Sequence, residues 1–157
     1  AEFEVRLPAA AAEVAPSAHP QAHAHRPLRI LLVEDNADAA ESLKEALELN
    51  GHTVEIARTG WEGLEKARAA PPDVVLCDLG LPGIDGFEVA RRMRADPALR
   101  AAPLVALSGY AAPEDLERSR DAGFLRHLAK PPDLQVLERT LLEAGGVAVP
   151  AGVGANA

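Results

Sequence analysis

The sequence predicts a doubly wound α/β fold: five parallel strands in one sheet, with helices on both faces. Two observations carry that expectation. Short β-branched apolar runs alternate with helix-period segments five times along the chain. Two of the runs, ILLV and VVLC, are apolar without interruption, as strands buried on both faces are. Right-handed crossovers through the intervening helices then leave the strands parallel.

Each element has its own warrant. The first strand is LRILLV (28–33). The helix after it lies within NADAAESLKEALELNG, which sets Leu43, Ala46, Leu47 and Asn50 at helical spacing. Asn36 is its N-cap and Gly51 its C′ stop. HTVEIA (52–57) is the second strand, and a helix over 60–70 ends before Pro71 and Pro72. DVVLC (73–77) is the third strand, followed by a helix opening at Asp85 with Glu88 placed like a capping-box partner. PLVALS (103–108) is the fourth strand. Its helix has Pro113 in the first turn, then Glu114 and Asp115, which suit the positive end of a helix dipole. FLRHLA (124–129) is the fifth strand, and a fifth helix covers 133–144. No internal repeat is visible.

Outside this block the composition changes. Residues 9–27, AAAAEVAPSAHPQAHAHRP, lack apolar periodicity and read as a flexible linker. Residues 145–157 read as a flexible tail, which leaves 28–144 as one domain. The 157 residues are 48% hydrophobic and 25% charged but only 3% aromatic, so the core must come from Leu, Val, Ile and Ala. The net charge is −8, and residues 1–27 hold three acids and two bases, so the acidity belongs to the folded part. That sign argues against nucleic acid as a partner. The single cysteine, Cys77, cannot form an internal disulfide, which fits a reducing, cytoplasmic setting. No run approaches the roughly 18 apolar residues of a membrane span, so no membrane contact is expected. A signal-peptide pattern is also absent, and the chain begins with Ala.

In open parallel sheets ligands bind beyond the carboxyl ends of the strands. Here strand one ends in Glu34-Asp35, strand three in Asp78, strand four in Ser108 and strand five in Lys130-Pro131. Three carboxylates, a hydroxyl and a lysine would share one rim. Clustered like charges oppose ionisation, and a divalent cation relieves them. Hard oxygen ligands with room for water favour Mg²⁺. A cation and a lysine beside an exposed carboxylate suit an incoming phosphoryl group, with an Asp as nucleophile.

Four segments, LLVEDN (31–36), DLGLPGIDG (78–86), ALSGY (106–110) and LAKPPD (128–133), resemble the motifs of response-regulator receiver domains. All four occur in order and at the strand ends. The resemblance implies a (βα)5 flavodoxin-like fold with strand order 2-1-3-4-5. It implies that Asp78 is the phosphoacceptor, with Asp35 a direct Mg²⁺ ligand, Glu34 acting through water and the Gly80 backbone carbonyl a further ligand. Ser108 matches the hydroxyl that bonds a phosphoryl oxygen, and Lys130 the lysine that pairs with it. The Lys130–Pro131 peptide is then expected to be cis. His127 stands where the family often has an aromatic switch residue, usually Tyr or Phe. Pro132 departs from the branched apolar residue usual there and is expected to stiffen the start of helix five. Gly80 and Tyr110 occupy positions that tune acyl-phosphate lifetime in the family.

The implied partners are a histidine kinase or a histidine phosphotransfer domain, the chain itself catalysing phosphoryl transfer to and from Asp78. Residues 1–8, AEFEVRLP, resemble the last strand of a histidine-kinase ATP-binding domain, although cloning could also have supplied the first few. A kinase end, a linker and a receiver together read as part of a hybrid sensor kinase, itself associated with a membrane or not. A stand-alone response regulator is the alternative. With no second domain after residue 144, output is expected through protein contacts. A Mg²⁺-dependent hydrolase with an Asp nucleophile belongs to another class; such enzymes generally carry D-x-D after their first strand, where this chain has Glu34-Asp35-Asn36. A scaffold receiver indifferent to phosphate is opposed by the intact acidic, hydroxyl and lysine positions.

Other notable residues read more plainly. Cys77 is core, His19, His23 and His25 lack a metal-binding cluster, Trp61 is packing or surface, and Arg91, Arg92 and Arg94 form a solvated helix face.

Overall fold

The structure, a computed structural model, describes residues 26–109 and 112–146. Ten elements alternate along the chain: β1 (Arg29–Val33), α1 (Ala37–Leu49), β2 (Thr53–Ala57), α2 (Gly60–Ala69), β3 (Val74–Asp78), α3 (Gly86–Ala95), β4 (Leu104–Ser108), α4 (Pro113–Ala122), β5 (Arg126–Ala129) and α5 (Leu134–Ala144). The strands form one parallel sheet in the order β2-β1-β3-β4-β5. This is the flavodoxin-like arrangement that the sequence predicts.

Strand alternation divides the core in two. Leu31, Val33, Val75, Cys77, Leu104 and Ala106 point to one face, where Leu64 of α2 and Phe87 and Met93 of α3 cover them. Ile30, Leu32, Val74, Leu76, Val105 and Leu107 point to the other, under Leu47 of α1 and Leu137 and Leu141 of α5. Every residue of β3 and β4 is buried, which is why their sequences show no polar alternation. Edge strand β2 alternates buried with exposed positions, and edge strand β5 is only partly covered.

The helix boundaries follow side-chain capping. The Asn36 side chain accepts from the Ala39 amide at 2.9 Å, and Gly51 past the other end of α1 has φ 95°. Asp133 caps α5 by accepting from the amides of Gln135 and Val136 at 2.9 and 3.1 Å. Three local expectations need correction. The fifth strand starts at Arg126, not Phe124, because left-handed Gly123 ends α4 and Phe124 turns into the core at 5% exposure. Glu88 does not complete a capping box: Asp85 accepts from the Glu88 amide at 2.9 Å, but the Glu88 carboxylate pairs with Arg91 and Arg92 at 3.1 and 2.8 Å. Arg94 is not on a solvated face. Its guanidinium donates to the carbonyls of Arg100, Ala102 and Gly123, tying the end of α3 to the turns that precede β4 and β5.

Candidate functional site

Strand register builds the site. Val33 pairs with Cys77, Asp78 with Leu107, and Ser108 with Ala129. The next residues along, Glu34 and Lys130, therefore arrive at the same carboxyl-terminal rim as Asp78 and Ser108. Backbone bonds pin the level: Glu34 N–H to the Ala57 carbonyl at 2.9 Å, Leu79 N–H to Leu107 at 2.9 Å and Lys130 N–H to Ser108 at 2.7 Å. The Lys130–Pro131 peptide bond is cis.

Glu34 and Asp78 are 3% and 6% exposed, so two carboxylates are withdrawn from water side by side. Lys130 stands between them, with Nζ 2.8 Å from Glu34 Oε2 and 3.2 Å from Asp78 Oδ2. Partial burial pulls the Lys130 ammonium down, but the Glu34 hydrogen bond and the charges of Asp78 and Glu34 outweigh it and hold its pKa above the ordinary lysine value. The second oxygens are used too. Glu34 Oε1 accepts from the Asn36 amide at 3.0 Å, and Asp78 Oδ1 accepts from the Gly80 amide at 3.0 Å. Exposed Asp35 completes the acidic group, and one carboxylate oxygen from each of Glu34, Asp35 and Asp78 lies within 4.8 Å of the others.

That spacing suits a small hard cation. Oxygens on opposite sides of a Mg²⁺ ion are about 4.2 Å apart, twice the metal–oxygen distance. Both oxygens of Glu34 and both of Asp78 already accept from fixed donors, so an ion would join carboxylates that Lys130 and two backbone amides have set in place.

Ser108, 7% exposed, meets the ring of His127: Oγ lies 2.9 Å from Nε2. The other ring nitrogen, Nδ1, is 3.3 Å from Ser119 Oγ on α4. Burial lowers the His127 pKa, with the nearby charge of Asp115 acting in the opposite direction.

The model of the response regulator receiver domain family matches residues 30–142. The chain belongs to that family. Over 128 residues, 80% of the chain, this receiver is 38% identical to a gliding motility regulatory protein of Myxococcus xanthus, of which the match spans 16%. It is 33% identical over 105 residues to the polar-differentiation response regulator DivK of Brucella anthropi, covering 67% of this chain and 85% of DivK. The receiver domain of a sensor histidine kinase from Pseudomonas aeruginosa, whose structure holds magnesium in its active-site cleft, superimposes with a TM-score of 0.71 at 32% identity. That match covers 77% of this chain and 99% of the Pseudomonas domain. Receivers bind Mg²⁺ at an acidic site of this kind and take phosphoryl groups from histidine kinases or phosphotransfer proteins. Among the described residues, no helix is long and apolar enough to cross a membrane.

Other sequence readings find their places. Cys77 is fully buried, and burial followed by the charge of Asp78 pushes its thiol pKa up, so it behaves as core. Trp61 is 52% exposed, with the Arg92 guanidinium stacked 4.7 Å from its ring. Tyr110, the His19, His23 and His25 group and the AEFEVRLP segment lie outside the described residues.

Two contributors to the receiver site were not singled out in the sequence. Gly86 lets α3 start against the end of β3, where a Cβ would lie 2.5 Å from the Asp78 carbonyl oxygen and 2.8 Å from Leu79 Cα. Ser119, buried on an otherwise charged helix, supplies the second contact of His127. Its signal was the three-residue spacing of Leu116, Ser119 and Ala122 within PEDLERSRDA.

Proposed function

We propose that this receiver accepts a phosphoryl group from phosphohistidine onto Asp78. The observation that carries this reading is Lys130 Nζ bridging Asp78 Oδ2 and Glu34 Oε2 at 3.2 and 2.8 Å, beside Asp35. An Asp78 carboxylate oxygen attacks phosphorus, the P–N bond to the donor imidazole breaks, and the released ring nitrogen keeps the electron pair. Lys130 and the Ser108 hydroxyl receive the transferred oxygens, so charge that develops outside the acidic group meets fixed donors. Asp35, Asp78 and the Gly80 carbonyl are the ligand set for Mg²⁺, with Glu34 acting through water. When bound, the ion neutralises charge on the reacting phosphoryl oxygens.

The context we propose is a hybrid histidine kinase, in which the receiver relays phosphate to a phosphotransfer domain or regulates the kinase core. Support comes from the AEFEVRLP segment and from similarity to the Pseudomonas kinase receiver. Incubation with acetyl phosphate and Mg²⁺, read by intact mass, tests the central claim. A labile adduct of one phosphoryl group is expected, absent in Asp78→Asn and absent when Mg²⁺ is chelated beforehand. Failure to form it from acetyl phosphate and from a phosphorylated histidine donor alike would overturn the reading.

A further inference from the structure

We propose that His127 positions the Ser108 hydroxyl through a Ser119–His127–Ser108 hydrogen-bond chain whose donor direction reverses when an anion occupies Asp78. The inference rests on the reading of Ser108 as the hydroxyl that contacts the phosphoryl group.

An inventory of protons gives the direction. Ser119 is 2% exposed and donates its one hydroxyl proton to the Leu116 carbonyl at 3.0 Å. Toward the imidazole its oxygen can then only accept, so Nδ1, 3.3 Å away, carries the ring proton. Burial favours a neutral ring, against the opposing charge of Asp115. A neutral ring protonated at Nδ1 leaves Nε2 as an acceptor. Nε2 lies 2.9 Å from Ser108 Oγ and receives that hydroxyl's proton. In the resting site the Ser108 proton is therefore committed to His127.

A phosphoryl oxygen accepts and does not donate. When Ser108 turns its proton to such an oxygen, Nε2 faces a hydroxyl oxygen with lone pairs only. The ring answers by changing tautomer: Nδ1 gives up its proton, Nε2 takes one, and the proton count of the imidazole is unchanged. Nε2–H then donates to Ser108, and Ser119 turns its proton from the Leu116 carbonyl to Nδ1. The state of the site thus reaches α4 through the hydrogen-bond chain. A Tyr or Phe ring at position 127 could not carry this chain, because it has no nitrogen pair.

Imidazole nitrogen NMR on the ¹⁵N-labelled chain reads the tautomer directly. The resting protein is expected to show His127 as Nδ1–H. With Mg²⁺ and beryllofluoride, a phosphoryl mimic, it is expected to show Nε2–H. Fluorine resonances of bound beryllofluoride report occupancy independently. Their absence overturns the Asp78 reading and this inference with it. Bound beryllofluoride with an unchanged tautomer, or with a doubly protonated ring, overturns the reversal alone. Ser119→Ala removes the partner of Nδ1 in both states, and should abolish the resting preference for Nδ1–H, so that the resting spectrum shifts toward Nε2–H. A Ser119→Ala protein with the resting tautomer unchanged counts against the chain.

Discussion

Lys130 shows how one side chain makes this site tenable. Its ammonium faces two carboxylates that are almost fully buried, Glu34 and Asp78. Because its pKa is raised in the folded state, its stabilising contribution is fully present below the ordinary lysine value. It is lost as pH rises through the folded value, above the neutral range. Lys130→Met removes the cation and leaves the two anions facing each other. We expect this variant to be less stable by roughly 1–3 kcal/mol at neutral pH, the cost of stranding a buried polar group. The deficit should shrink at alkaline pH, as the Lys130 ammonium of the parent protein loses its proton, and should shrink at neutral pH with added Mg²⁺. Urea denaturation at neutral and alkaline pH, with and without Mg²⁺, measures these effects. A deficit independent of both pH and Mg²⁺ would mean that Lys130 acts through packing of its stem alone.

At the scale of elements, the site depends on how closely α3 approaches the end of β3. Gly86 and Gly60 both open helices at points where a Cβ would collide, but with different kinds of neighbour. At Gly86 the obstacles include the Asp78 carbonyl oxygen and Leu79 Cα, which are backbone; at Gly60 they are side-chain atoms of Ile84 and Val89. Side chains can shift rotamer, whereas the Asp78 backbone is held in the sheet by its pairing with Leu107. Gly86→Ala should therefore destabilise by about 1–3 kcal/mol and slow acetyl-phosphate labelling of Asp78. Gly60→Ala should cost less and leave labelling intact. Thermal unfolding and timed intact-mass measurements separate the two, and equal effects would refute the distinction. Elements were legible in the sequence where burial and capping leave a chemical trace. The apolar runs of β1 and β3, the Asn36 cap and the Pro113 start of α4 are of that kind. The start of β5 was not, because Phe124 is apolar for a turn packed into the core and not for a strand. The Glu88 carboxylate was misread because sequence spacing cannot show that two arginines on the same helix compete for it. At the rim, Glu34, Asp78, Ser108 and Lys130 could be placed together once each was assigned to a strand end. The bridging role of Lys130 and the contact of Ser119 with His127 depend on side-chain directions that no one-dimensional pattern holds.

On the scale of the whole molecule, the face of the sheet covered by α1 and α5 is closed at the end opposite the site by a polar tie. His52, 5% exposed, accepts from the Leu28 amide through Nδ1 at 3.1 Å, so its Nε2 carries the proton and donates to Glu138 of α5 at 2.6 Å. Asn50, at the end of α1, donates to the other Glu138 oxygen at 2.9 Å. The starts of β1 and β2, the end of α1 and the middle of α5 are thereby joined. Among the described residues, both core clusters and this tie draw on residues from Leu28 to Ala144. A chain trimmed to residues 26–146 should fold cooperatively by itself. Its unfolding free energy should match that of the full chain within about 1 kcal/mol, a small part of a domain's usual stability. It should also label at Asp78 at the same rate, because every proposed site residue from Glu34 to Lys130 is retained. A larger loss would place part of the stabilising contacts in residues 1–25 or 147–157 and move the domain boundary outward. His52→Ala in the trimmed chain supplies the internal comparison. It leaves the Leu28 amide and the Glu138 carboxylate without their shared partner, and should cost more than the trimming does.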